Sequence, residues 1–67
     1  MKLLLNGERV ILPDDIVFVS DVLNHFEVHN KVVVVELNGK ILTKTEHQST
    51  RISDKDKIEI VHFVGGG

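Results

Sequence analysis

Short apolar stretches separated by polar turn residues run along most of the chain. Five of them favour strands, at residues 1–5, 8–12, 31–37, 40–42 and 57–64. Val and Ile supply much of their apolar content and Ala is absent from the sequence. Because β-branched side chains are stiff at χ1 and favour strands over helices, the pattern predicts a protein built mainly of β-structure.

Two Asn-Gly pairs interrupt the apolar stretches. Asn6-Gly7 separates the first two predicted strands and Asn38-Gly39 separates the next two. Both residue types tolerate the positive φ angles of a type I′ turn, so each pair predicts a β-hairpin. Residues 43–51 are polar without an apolar repeat and predict a loop with one short helical turn. Turn-forming residues at 53–56 precede the last strand.

One segment has helical spacing. Four apolar residues between 18 and 26 recur at i, i+3, i+4 and i+7 and would line one face of a helix: Val19, Val22, Leu23 and Phe26. Asn30 tolerates the left-handed conformation and is expected to stop the chain after a helix frayed near Val28. The element order predicts an α+β domain with one main helix packed across one face of a mixed four- to five-stranded sheet.

The last strand has a predicted register. If Ile58 and Ile60 face the helix, Glu59, Val61 and Phe63 face away from it. The opposite register would bury Glu59 at a cost of several kcal/mol, so the first is expected. Val61 and Phe63 then form an outward apolar pair of the kind that often marks a docking surface, although single exposed hydrophobic residues are also normal.

Length, charge and composition exclude several classes of function. The chain has 67 residues, which predicts a single domain over residues 1–64 with little room for an enclosed catalytic cavity. A net charge of −2 without a Lys/Arg cluster disfavours nucleic-acid binding. The absence of Cys excludes disulfides and thiolate chemistry within this chain. No apolar run is long enough to span a membrane or form a secretory signal, so a cytoplasmic location is expected.

Three glycines, Gly65, Gly66 and Gly67, follow the last strand directly. They are expected to form a flexible tail that spans at most about 10 Å, although a frayed end or a cloning remnant would have the same composition. A backbone without Cβ atoms can enter a narrow channel and offer its carboxylate to a reaction. Because an ionised carboxylate is a poor electrophile and the chain has no phosphate-binding loop, a partner enzyme would have to activate it.

These features resemble the ThiS family of ubiquitin-like sulfur carrier proteins of thiamine biosynthesis. The likeness extends over the whole chain. Residues 3–8 (LLLNGE) look like the family's first hairpin, and residues 32–39 (VVVVELNG) look like its third strand and the following turn. The most specific match is the ending at residues 58–67 (IEIVHFVGGG). The resemblance implies a β-grasp, or ubiquitin-like, fold.

The resemblance also implies a function and a set of roles. A ThiF-type enzyme would use ATP to adenylate the Gly67 carboxylate, which would become a thiocarboxylate with sulfur drawn from a donor such as a cysteine desulfurase. The thiocarboxylate would pass its sulfur to a thiazole synthase. Gly65 and Gly66 would occupy the partner's channel, and Val61, Phe63 and Val64 would dock. The protein would then be a carrier rather than an enzyme, would hold no cofactor of its own, and would be a monomer when free.

Three positions depart from the family's pattern. Phe18 stands where Thr or Ser commonly caps the helix, which removes a cap worth about 1 kcal/mol. Glu27 stands where a glycine usually ends the helix. Lys55 replaces the glycine of a Gly-Asp turn and would be strained at positive φ.

The histidines give weaker signals. His25 and His29 lie four residues apart and could share a helix face as metal ligands, but no third ligand is evident and solvated side chains are favoured. His47 and His62 are isolated and are expected at the surface or half-buried. The Asp pairs at 14–15 and at 54 and 56 lie in predicted turns, where Asp caps its own backbone.

Two alternatives to a ThiS-type carrier remain. One is a related carrier of the type of the small subunit of molybdopterin synthase, although those chains are usually longer and have a proline before the glycines. The other is a non-covalent β-grasp interaction module with an inert tail.

Overall fold

A computed structural model describes residues 1–28 and 32–62. The strands are β1 (Lys2–Leu5), β2 (Glu8–Ile11), β3 (Val33–Leu37), β4 (Lys40–Leu42) and β5 (Lys57–His62). Helix α1 spans Val19–His25, and a 3₁₀ helix spans Lys44–Gln48. The helices of this part of the chain are all too short or too polar to cross a bilayer. The predicted domain over residues 1–64 and the predicted tail extend beyond the described residues.

The strands form one mixed sheet in the order β2-β1-β5-β3-β4. β5 lies in the middle, parallel to β1 and antiparallel to β3. The β1–β2 and β3–β4 pairs are antiparallel hairpins. The predicted α+β architecture is therefore confirmed, and the short helical turn expected between residues 43 and 51 is the 3₁₀ helix.

Both predicted hairpin turns are confirmed. Asn6 and Gly7 have φ angles of 49° and 84°, and Asn38 and Gly39 have angles of 50° and 87°. Two successive positive φ angles define the type I′ turn, whose twist matches that of the flanking strands. The sequence therefore sets the strand register at both hairpins through local chemistry alone.

Helix α1 begins without a side-chain cap, as the phenylalanine at its start predicts. Phe18 is the N-cap residue, and the Asp21 carboxylate instead accepts hydrogen bonds from the N–H groups of Phe18 and Val17 at 2.9 and 3.0 Å. These bonds hold the pKa of Asp21 below its usual value. An acidic side chain in the first turn thus satisfies two amide groups at the helix start.

The helix ends earlier than predicted. Glu27 adopts φ 60°, its N–H donates to the Asn24 carbonyl at 3.1 Å, and the Val28 N–H donates to the Leu23 carbonyl at 2.9 Å. These two bonds form a Schellman motif, so the expectation of an end near Val28 and Asn30 was wrong. Phe26 consequently becomes the C-cap and is 38% exposed, instead of joining the buried face. Asn30 lies outside the described residues.

The core lies between α1 and one face of the sheet. Its centre consists of Val19 and Val22 from the helix with Val35 and Ile58 from the sheet, all fully buried. Six further buried side chains complete the cluster: Leu3, Leu12, Ile16, Leu23, Leu42 and Ile52. The opposite face of the sheet carries no helix among the described residues, and we call it the outer face.

Candidate functional site

The outer face has an apolar patch beside the end of β5. Val61 is 57% exposed and lies directly opposite Val34 of β3, which is itself 36% exposed. Val32, which directly precedes β3, is 73% exposed. Because Ile58 is fully buried and side chains alternate along a strand, the predicted register of β5 is confirmed. We call Val32, Val34 and Val61 the valine patch.

The other residues predicted for the site lie outside the described part of the chain. They are Phe63 and Val64, predicted to dock, Gly65 and Gly66, predicted to enter a partner's channel, and Gly67, predicted to carry the reactive carboxylate. Their roles stay predictions, as does the docking role of Val61.

Two carboxylates lie beside the valine patch. Glu36 of β3 and Glu59 of β5 are directly opposite each other, an arrangement in which like charges destabilise a sheet. The Lys57 Nζ lies 3.6 Å from Glu59 Oε1, so one cation faces two acids. This part of the outer face therefore combines an apolar surface with excess negative charge, which suits a partner surface that is apolar and basic.

The Asn6 side chain fixes the end of β5, a role that the hairpin signal did not predict. Its Oδ1 accepts a hydrogen bond from the Ile60 N–H at 2.8 Å, and its Nδ2 donates to the Ile60 carbonyl at 3.2 Å. β1 ends at Leu5, so the amide side chain continues the β1–β5 pairing by one residue pair. These bonds hold the β1 side of β5 in place as far as Ile60, two residues before the strand ends at His62.

The second turn binds the other end of β5 through one side-chain and one backbone hydrogen bond. The Lys57 N–H donates to Asn38 Oδ1 at 2.9 Å, and the Asn38 N–H donates to the Lys57 carbonyl at 2.8 Å. Asn38 Nδ2 also donates to the Asp56 carboxylate at 3.0 Å. Both turn asparagines therefore anchor the central strand.

Asn6→Gly should loosen the end of β5 while preserving the turn. Glycine accepts the positive φ of this position but removes two hydrogen bonds, so we expect a loss of about 1–2 kcal/mol in the free energy of unfolding. Amide hydrogen exchange should accelerate most at Ile60. The Leu4 amide, which donates to the Asp56 carbonyl at 2.9 Å, is the internal control and should follow only the global change. Equal acceleration at both amides would contradict a local role.

The expectation that His47 lies at the surface or half-buried was wrong. The 3₁₀ helix turns this side chain inward, where it is 6% exposed, and its Nε2 has no hydrogen-bond partner in the described part of the chain. The pKa of His47 lies below its usual value, mainly because burial disfavours the charged imidazolium. Lys44 lowers the pKa further, and the Glu46 carboxylate offsets part of the shift. His62 is exposed, as expected.

The protein should lose stability on mild acidification because of His47. Its unfolded-state pKa is about 6.5 and its folded-state pKa is lower, so the stabilisation is complete above pH 6.5 and is lost as pH falls through the folded value. Melting temperatures measured between pH 7 and pH 5 should therefore fall. Hydrogen bonds from Thr43 lower the pKa of Glu46, and hydrogen bonds from Phe18 and Val17 lower the pKa of Asp21. Protonation of these two carboxylates therefore reduces stability only at lower pH than protonation of His47 does.

His47→Leu should flatten that decline, since leucine fills much of the same space without a titratable group. His25→Gln is the matched control, because His25 is exposed, and its decline should equal that of the unaltered protein. A steep decline retained in His47→Leu would contradict the assignment.

A metal site receives no support from the geometry. No group of three or more candidate ligands lies together within residues 1–28 and 32–62. His25 instead packs edge-on against Phe26, with ring centroids 5.0 Å apart. His29 lies outside the described residues.

Comparison with known proteins places this geometry in a family. The model of the ThiS family matches residues 3–67. The sulfur carrier protein ThiS of Bacillus subtilis (strain 168) is 43% identical over 63 residues, which cover 94% of this chain and 96% of that protein. A thiazole synthase of Paramagnetospirillum magneticum (strain ATCC 700264 / AMB-1) is 37% identical over 67 residues, all of this chain and 20% of that protein.

A solved structure gives the same result for the fold. The crystal structure of the thiamine biosynthesis protein ThiS from Geobacter metallireducens superposes with a TM-score of 0.83 at 32% identity, and the match covers 100% of both chains. The sheet order and the single main helix are accordingly those of a β-grasp fold. The chain belongs to the ThiS family.

Proposed function

We propose that the protein is a sulfur carrier of thiamine biosynthesis whose Gly67 carboxylate is adenylated and then converted to a thiocarboxylate. The observation that carries the proposal is the outer face beside β5. There the exposed valine patch lies across β3 and β5, β5 is fixed at both ends, and the sequence continues from β5 through Phe63 and Val64 into three glycines. Membership of the ThiS family supports the same chemistry.

In the proposed mechanism, partner proteins carry out the adenylation and the sulfur transfer. A ThiF-type enzyme uses ATP to form the acyl adenylate and releases pyrophosphate. Sulfur from a donor such as a cysteine desulfurase then displaces AMP, and a thiol reduces the resulting acyl disulfide to the thiocarboxylate where the donor sulfur is a persulfide. The carrier holds no cofactor and is consumed and reloaded as a co-substrate, so it is not itself an enzyme. We place these reactions in the cytoplasm.

Docking would use the valine patch together with Phe63 and Val64. Burial of exposed apolar area contributes about 25 cal/mol per Å², and the neighbouring Glu36 and Glu59 would select a partner with basic groups at the rim of its site. Gly65 and Gly66 would then extend into the partner's channel, where side chains would collide.

A thiazole synthase is the proposed acceptor of the sulfur. The thiazole synthase of Paramagnetospirillum magneticum contains a segment similar to all of this chain. The presence of a carrier-like segment in a polypeptide named thiazole synthase supports direct binding between a carrier and a thiazole synthase.

Intact-mass spectrometry tests the proposal. The protein is incubated with ATP and a ThiF-type enzyme that is active on the Bacillus subtilis carrier, with and without a sulfur donor. We expect an added adenylate without the donor and replacement of one oxygen by sulfur at Gly67 with it. An unchanged mass under both conditions would remove the carrier function and leave a non-covalent interaction module.

A further inference from the structure

We propose that the outer face of β1 and β2 docks an extended acidic segment of a partner protein that also carries aliphatic side chains. This part of the outer face forms an open groove of about 610 Å³. Seven residues line it: Lys2, Leu3, Leu4, Arg9, Val10, Ile11 and Lys55. We call it the β1–β2 groove. The proposal goes beyond the carrier function and does not depend on it.

Apolar and cationic side chains alternate in the groove. The strand register places Lys2 opposite Ile11 and Leu4 opposite Arg9, so both apolar side chains on the outer face have a cation across from them. Leu3 and Val10 are opposite each other and pack in or against the core. Ile11 is 78% exposed, the highest value among the large hydrophobic residues described. A segment in which every second residue is acidic and aliphatic in turn would place each type against its complement, because residues i and i+2 of an extended chain lie on the same face.

The charge of the groove selects an acidic occupant. Lys2, Arg9 and Lys55 line it, and none of them takes part in an ion pair within residues 1–28 and 32–62. The Asp54 carboxylate accepts a hydrogen bond from the Lys2 backbone N–H at 2.7 Å. Three cations lie together although the chain as a whole has a net charge of −2, and exposed like charges of this kind attract a complementary surface.

The position of Lys55 adds to this argument. It has φ 71°, a conformation that strains most residues other than Gly, Asn and Asp and that glycine would adopt without strain. Its N–H donates to the Lys2 carbonyl at 2.6 Å, which places the turn beside β1. Lys55 therefore adds a third cation to the groove although its backbone conformation is strained.

The groove and the valine patch are separate surfaces of opposite charge. Lys57 of β5 is level with Leu4 of β1, and Val61 lies four residues farther along β5, or about 13 Å. The groove lies over β1 and the edge strand β2, whereas the valine patch lies over β5 and β3. A basic, apolar partner on the valine patch would thus leave the cationic groove accessible to a second, acidic partner.

Nuclear magnetic resonance with a probe peptide tests the proposal. The ¹⁵N-labelled protein is titrated with a short capped peptide in which Asp and Leu occupy every second position in turn, with Ser between them, and in parallel with the same peptide carrying Lys in place of Asp. We expect the acidic peptide to shift the amide signals of Leu4, Arg9 and Ile11, with an affinity that falls as salt is added. The basic peptide should leave these signals in place.

Charge reversal provides the matched controls. Arg9→Glu should weaken binding of the acidic peptide roughly tenfold, since it turns an attraction into a repulsion. Lys40→Glu, on the opposite edge strand, should change the affinity less than about twofold. Both variants should be loaded with sulfur like the unaltered chain, so failure of the carrier function and failure of this inference are distinguishable.

Three results would overturn the inference. One is equal response to both peptides, and another is a response confined to Val34 and Val61. The third is self-association in sedimentation equilibrium that Arg9→Glu abolishes, because the occupant of the groove would then be a second copy of this chain.

Discussion

A chain that ends at Val64 is expected to accept neither an adenylate nor sulfur, while its melting temperature stays within about 1 °C of that of the full chain. The proposed reactive carboxylate is that of Gly67, and truncation both removes the two channel residues and moves the terminal carboxylate next to bulky side chains. Intact-mass spectrometry after incubation with ATP, a ThiF-type enzyme and a sulfur donor measures the loss. We expect no detectable loaded protein.

Competition binding gives the control for this prediction. The truncated chain keeps the valine patch and both asparagine anchors of β5, so it should still compete with the full chain for the ThiF-type enzyme, although more weakly. Transfer of sulfur to the truncated chain would contradict the proposal, because the carrier group would then be a carboxylate other than that of Gly67.

The outer face would let so small a protein distinguish the proposed partners. Its β3–β5 half offers valines beside two carboxylates, and its β1–β2 half offers Leu4 and Ile11 among cations. Electrostatic complementarity sets partner choice and encounter rate more than it sets affinity. Two halves of opposite charge can therefore sort partners even though each half is too small for a high-affinity interface by itself.

Local chemistry explains which parts of the fold could be predicted. The Asn-Gly pairs specify their turns through the φ preferences of two adjacent residues. The register of β5 follows because burying Val61 would also bury Glu59 on the same face, and the cost of burying Glu59 exceeds the gain from burying Val61. Neither inference needs knowledge of distant residues, and both are confirmed by the structure.

Features that depend on tertiary contacts were missed. The hydrogen bonds between the Asn6 side chain and Ile60 join residues 54 positions apart, and no local sequence pattern predicts such a contact. The 3₁₀ helix is too short to show a period, so the burial of His47 had no sequence signal. The end predicted from the helical spacing was too late because Glu27, a residue without special preference for positive φ, occupies the helix-ending position. The family resemblance alone indicated this position, since a glycine usually stands there.

Ile58→Thr should be strongly destabilising, with a loss of about 3 kcal/mol in the free energy of unfolding. Ile58 is fully buried at the centre of the core, and threonine removes apolar volume and introduces a hydroxyl group there. For a domain of this size, such a loss lowers the melting temperature by about 15 °C. Urea and thermal denaturation followed by circular dichroism measure both quantities.

Val61→Thr is the matched control on the same strand. Threonine is β-branched like both residues it replaces, so strand propensity is retained in each variant, and the two substitutions differ mainly in the face of the sheet that they alter. Because Val61 is 57% exposed, its replacement should cost less than about 0.5 kcal/mol and should instead weaken binding to the ThiF-type enzyme. Equal losses of stability would mean that both faces of β5 are packed, and the outer face could not then serve as a docking surface.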